Sequence, residues 1–69
     1  MPDSPTRHER YFAALRDEQD AFDDALAHIR AEQAAGRLTP AAAAAEREQL
    51  LTAHLGRLAR LRAEHLGES

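Results

Sequence analysis

An all-α fold is what this sequence predicts, drawn as an antiparallel hairpin of two helices spanning about residues 6–35 and 40–66. Three observations predict it. The stretch Gly36-Arg37-Leu38-Thr39-Pro40 joins a helix stop to a helix start with almost nothing between them. Apolar residues on either side recur in steps of three and four, the spacing of one helix face. A link of about three residues leaves two helices no choice but to lie side by side and antiparallel.

The chain opens on Met1-Pro2-Asp3-Ser4-Pro5, read as a short disordered lead-in. Two helix starts compete after it. Ser4 before Pro5 suits an N-cap with proline at the first helical position. Thr6 followed three residues later by Glu9 suits a capping box, in which each side chain satisfies a backbone N–H of the other. From Arg7 to Ala35 the pattern is helical. Phe12, Leu15, Gln19, Phe22, Leu26, Ile29 and Gln33 form a heptad seam, widened on one side by Tyr11 and Ala25. Gln19 and Gln33 are its polar members. At the margin they would reach solvent; a buried Gln19 would instead pair across an interface and fix register.

Gly36 supplies the left-handed conformation that closes a helix C-terminus without steric cost. Thr39 caps the second helix, and Pro40 fits its first turn because that N–H would have no partner there. Leu38 precedes the cap, where it can pack on the first turn. Ala41 to Ala45, a run of the best helix former, allows close approach of two backbones near the bend. The second helix runs to about Leu66, and residues 67–69 are expected to fray.

The second helix places Ala44, Leu51, Leu55 and Leu58 on its apolar face, flanked by Leu50 and Leu61 on one side and Leu66 on the other. Leu50 to Leu66 covers about 160° of the helical wheel, wider than one neighbouring helix needs. The excess points to a second contact. Two hairpins packed together would bury both sides of each stripe as a four-helix bundle, so a homodimer is the expected assembly. Its interface would be carried by Phe12, Leu15, Gln19, Phe22, Leu26, Ile29, Leu51, Leu55, Leu58 and Leu61, aligned by the bend residues Gly36, Leu38, Thr39 and Pro40.

A bend centred between Arg37 and Leu38 sets a register. It brings Phe22 near His54, Leu15 near Leu61, Leu26 near Leu50, Tyr11 near His65, and Asp17 and Asp20 close to Arg57 and Arg60. Charge divides along the same line. Residues 1–35 hold eight acids against four Arg, and residues 36–69 hold four acids against five Arg. Unlike charges on neighbouring helices favour the pairing slightly, each exposed pair contributing about 0–1 kcal/mol. Asp17, Asp20, Asp23 and Asp24 read as a solvated acidic face.

Composition bounds the chemistry. With 69 residues and 4% aromatics, one small core is all the chain can build, and such chains lean on disulfides, metals or partners. There is no Cys, so disulfides and thiolate metal sites are excluded. The net charge of −3 and a pI near 5.7 give no general attraction for phosphate, and no apolar run approaches the roughly 20 residues that span a bilayer. Partners in nucleic acid or membrane are therefore not expected, although Arg57, Arg60 and Arg62 offer some basic character. All nine basic residues are Arg, which with the abundant Ala suggests a GC-rich genome. The N-terminus lacks the basic-then-apolar order of a signal peptide, and a cytoplasmic protein is the expectation.

No residue pattern calls for catalysis. Ser4 and Ser69 lie near the ends, the three glycines are isolated, and no nucleophile has a base beside it. Asp24, His28 and Glu32 fall four apart and could grip a divalent ion. The Glu-x-x-His pairs of metal-binding bundles are missing, however, and no cofactor or metal is expected. His54 and His65, on the apolar face, read as boundary residues. The alternative is an interface that responds to pH near 6.

Residues Leu26 to Leu51 resemble the bacterial SHOCT module, a short helical hairpin often found at protein C-termini. The matching residues are Leu26 and Ile29, then Ala35-Gly36-Arg37-Leu38-Thr39, then Leu50-Leu51. The departures are Ala43, where a bulky aromatic is usual, and Glu46, where a basic residue is common. The resemblance implies an oligomerisation or interaction role and carries over no catalytic residue. The expected function is thus a small non-catalytic helical interaction module that self-associates. The alternative is an adaptor or inhibitor of another helical protein, antitoxin-like or phage-inhibitor-like. A nucleic-acid binder ranks after both, and an enzyme last.

Overall fold

In the computed structural model, which describes residues 6–67, two helices form an antiparallel hairpin. They are α1, Arg7–Ala34, and α2, Pro40–Leu66. The disordered lead-in expected for residues 1–5 lies outside the described residues, as do residues 68 and 69 of the expected frayed tail. Gly67 closes α2, its N–H donating to the Ala63 carbonyl at 3.1 Å.

The cap chemistry explains where each helix begins. Of the two competing starts, Thr6 is the one used. Its backbone N–H donates to Glu9 Oε1 at 2.8 Å, and the Glu9 N–H donates to Thr6 Oγ1 at 3.1 Å, closing the capping box. Thr39 accepts from the Ala42 N–H at 3.1 Å, with Pro40 in the first turn beyond it. At the far end of α1, Gly36 adopts a φ of 80°. That left-handed turn lets the N–H of Arg37 return to the Glu32 carbonyl at 2.9 Å, satisfying an acceptor the helix end would otherwise leave open. The Arg37 side chain folds back as well, its Nε donating to Glu32 Oε2 at 2.8 Å. This pair replaces the basic residue that the last turn of α1 lacks.

The hairpin is a single layer of helix, and its Cα atoms fit within 54 × 27 × 9 Å. One layer buries little. Among the described residues only Ile29, Ala43 and His54 are buried, and no large side chain is fully enclosed. Ala43 is sealed at 0% exposure close to the bend, where a side chain no larger than a methyl group lets the two backbones come together. The register follows the expected pairs. Phe22 stacks on His54 with ring centroids 4.1 Å apart, and Tyr11 lies 6.0 Å from His65.

The face that α2 turns toward α1 differs from its leucine stripe. The contact line follows Ala43, Leu50, His54, Leu61 and His65, whereas Leu51 and Leu55 stay 45% and 56% exposed. On the wheel the two lines are about 90° apart. Ala44, expected on the apolar face, is exposed. The physical reason is partner size and polarity. Phe22 and Glu18 occupy the middle of the seam on α1, and a flat, hydrogen-bonding imidazole satisfies both where a leucine would satisfy only the ring.

Candidate functional site

The middle of the hairpin is tied by one carboxylate. Glu18, on the inner face of α1, accepts from His54 Nδ1 at 2.9 Å through Oε2. Arg57, one turn further along α2, donates its Nε to both carboxylate oxygens at 2.9 and 3.0 Å. The spacing of His54 and Arg57, three residues apart, places them on neighbouring strips of α2, so one acid reaches both. The His54 and Arg57 hydrogen bonds, in that order, hold the Glu18 carboxyl below its ordinary value, outweighing the opposing effect of burial. Glu9, held by the Thr6 backbone N–H, and Glu32, held by Arg37, are lowered in the same direction. No buried polar side-chain atom among the described residues lacks a partner.

Glu18 was not among the residues that the sequence marks out. The register instead brings Asp17 and Asp20 toward Arg57 and Arg60. Asp17 does line one groove with Arg57 and Arg60, but the ion pair formed is the one from Glu18. The missed signal was available: Glu18 lies one helical turn before Phe22, at the level of both His54 and Arg57.

The seam divides the layer into two unlike sides. One side is polar. Its two shallow grooves are lined by Asp17, Glu18, Arg57, Arg60 and Glu64 toward the open end, and by His28, Glu46 and Gln49 toward the bend. The other side lies about 60–120° round each helix from the seam. There α1 carries Leu15, Gln19, Leu26 and Phe12, and α2 carries Leu58, Leu51, Leu55 and Leu66. Phe12, at 59% exposed, joins Leu51 and Leu55 as the large apolar residues most open to solvent. Leu15, Leu26, Leu58 and Leu66 are half-buried beside them, and Gln19 is exposed in their midst.

Of the ten residues expected to carry an interface, seven share this apolar side: Phe12, Leu15, Gln19, Leu26, Leu51, Leu55 and Leu58. Ile29 is 6% exposed in the seam, and Phe22 lies in the seam against His54. Leu61 borders the polar groove. The bend residues sit where expected, with Leu38 half-buried behind the Thr39 cap. His54 lies inside the hairpin, away from its outer face.

Among the described residues no three His, Asp or Glu side chains are grouped to hold a metal ion. Also among them, no helix is long and apolar enough to cross a membrane. The chain matches no family model, no curated protein and no solved structure. It is a small all-helical module without a recognisable catalytic motif, and its distinguishing feature is the apolar side.

Proposed function

We propose that the hairpin is an interaction module that self-associates through its apolar side, two copies closing into a four-helix bundle. One observation carries this reading: Phe12, Leu51 and Leu55 stand 45–59% exposed on the same side of the layer, continuous with four half-buried leucines. Scattered apolar residues are ordinary on a protein surface, but a contiguous patch along two helices marks a contact. The total exposed surface, 5430 Å², supports the same reading. A compact monomer of 7.6 kDa exposes about 4300 Å².

In this reading the protein acts without catalysis, and the resemblance of residues 26–51 to SHOCT hairpins fits such a role. Solution mass is the direct test. Light scattering should return twice the 7.6 kDa chain mass at micromolar concentration, and Leu55→Glu should return a folded single chain. A wild-type protein that stays monomeric throughout a concentration series, with full helicity, would remove the proposal.

A further inference from the structure

We infer that the second copy lies antiparallel on the first, with the two bends at opposite ends and the two-fold axis passing beside Gln19. This inference rests on the self-association proposed above and specifies its geometry.

The first support is charge order on the rim of α1. Glu9, Arg16, Asp23 and Arg30 fall seven residues apart, all exposed, and alternate in sign. If two such helices ran parallel in register, each charge would meet its own kind. Reversed about Gln19, Arg16 comes level with Asp23 of the partner subunit, and Glu9 with Arg30 of the partner subunit, to within one residue. The apolar heptad reverses equally well. Phe12 and Leu26 stand seven residues either side of Gln19, so each phenylalanine meets a leucine and the two glutamines meet each other. Gln19 already donates to Asp23 Oδ1 at 3.0 Å, and its own carbonyl oxygen remains free to accept across the axis.

The same axis can be followed onto α2. There the axis falls between Leu55 and Leu58, which meet each other across it, while Leu51 comes level with Arg62 of the partner subunit. Counting from the observed pairs Phe22–His54 and Tyr11–His65, Gln19 lies level with Arg57, between those two leucines. The axis set by α1 therefore passes between two leucines of α2 at the same height in the hairpin.

The alternative two-fold arrangement, with both bends at one end, lays α1 on α2 of the partner subunit. It brings Arg16 within two residues of Arg62 of the partner subunit, like against like, and leaves Asp23 level with uncharged residues, although Arg30 comes equally near Glu48 of the partner subunit. Area is adequate for either arrangement. A layer two helices wide and about 40 Å long covers about 800 Å² per copy, the size of a standard stable interface.

The chain has no Cys, so single cysteines report contacts cleanly. Gln19→Cys and Phe12→Cys are made separately, checked for full helicity, and exposed to a mild oxidant. Gln19→Cys should form a disulfide-linked dimer. Phe12→Cys alone should not, yet an equimolar mixture of Phe12→Cys and Leu26→Cys should link. In parallel, Arg16→Asp should weaken the dimer roughly fivefold to thirtyfold, and adding Asp23→Arg to the same chain should restore it. Residues seven apart do not touch on one helix, so such rescue requires a second copy. A dimer by light scattering in which Gln19→Cys fails to link, or Phe12→Cys links with itself, would overturn the antiparallel arrangement and leave self-association standing. A monomer would overturn both.

Discussion

Truncating Leu55 to alanine separates the two jobs that apolar residues do in this hairpin. Leu55 is 56% exposed in the single chain, so shortening it removes little from the helix pair itself. In a dimer the exposed half of the side chain would be covered. Burying a whole leucine side chain contributes about 1.5–3 kcal/mol, so completing the burial of this one contributes about 1–1.5 kcal/mol per chain. Both copies carry the change, which makes about 2–3 kcal/mol per dimer and raises Kd about 30- to 150-fold. Ile29 is the control. It is 6% exposed within the seam, and Ile29→Ala costs about 2–5 kcal/mol of hairpin stability by leaving a cavity. Sedimentation equilibrium gives Kd for each protein, and thermal melting at high dilution gives the stability of the single chain. Leu55→Ala should move the first measurement and spare the second; Ile29→Ala should depress the second strongly. An unchanged Kd for Leu55→Ala, or a fall in monomer stability matching that of Ile29→Ala, would show that Leu55 belongs to the hairpin core and refute the reasoning.

Three further outcomes are expected. Gly36→Ala should lower the thermal midpoint by an amount equivalent to about 1–2 kcal/mol, because at φ 80° the added Cβ is strained although nothing lies within 4 Å of it. Gly56→Ala should do the opposite, raising stability by about 0.5–1 kcal/mol in a melt, since a Cβ there meets nothing and the helix interior prefers alanine. Acid should loosen the fold. Glu18, Glu9 and Glu32 all have folded values lowered from 4.5, so their contributions are complete above that pH and are lost as pH falls through the lowered values. Circular dichroism melts between pH 6 and 3 should show a midpoint that falls progressively as pH drops below 4.5, with Glu18→Gln showing a smaller acid-induced fall than the parent.

Much of the fold was legible because local chemistry dictates it. Gly36, Thr39 and Pro40 can do few other things, and a bend that short fixes the antiparallel register, down to the Phe22–His54 stack. The rotation of α2 about its own axis was harder to read. Pattern reasoning ranks Leu51, Leu55 and Leu58 above Ala43 and His54 for the inner position because it scores apolarity residue by residue. The seam instead selects what α1 presents. Near the bend that is backbone, which accepts only a small residue such as Ala43. At the centre it is Phe22 beside Glu18, which accept a ring with a donor. Glu18 was passed over for the same reason: scored by apolarity alone a carboxylate has no place in a seam, although the register already sets it level with His54 and Arg57.

The Glu18 triad also has a geometric consequence. Two antiparallel helices joined by a short bend remain free to roll, and rolling α2 by about 90° would turn its leucines inward. Such a hairpin would cover more of its own apolar surface. The two-pronged grip on Glu18, from His54 on one strip of α2 and Arg57 on the next, acts as a detent against that roll. A single apolar contact would slide under rotation; two directional bonds converging on one acid do not. The polar clasp therefore sets the rotational phase of the helix pair, and through it decides which residues the hairpin leaves exposed.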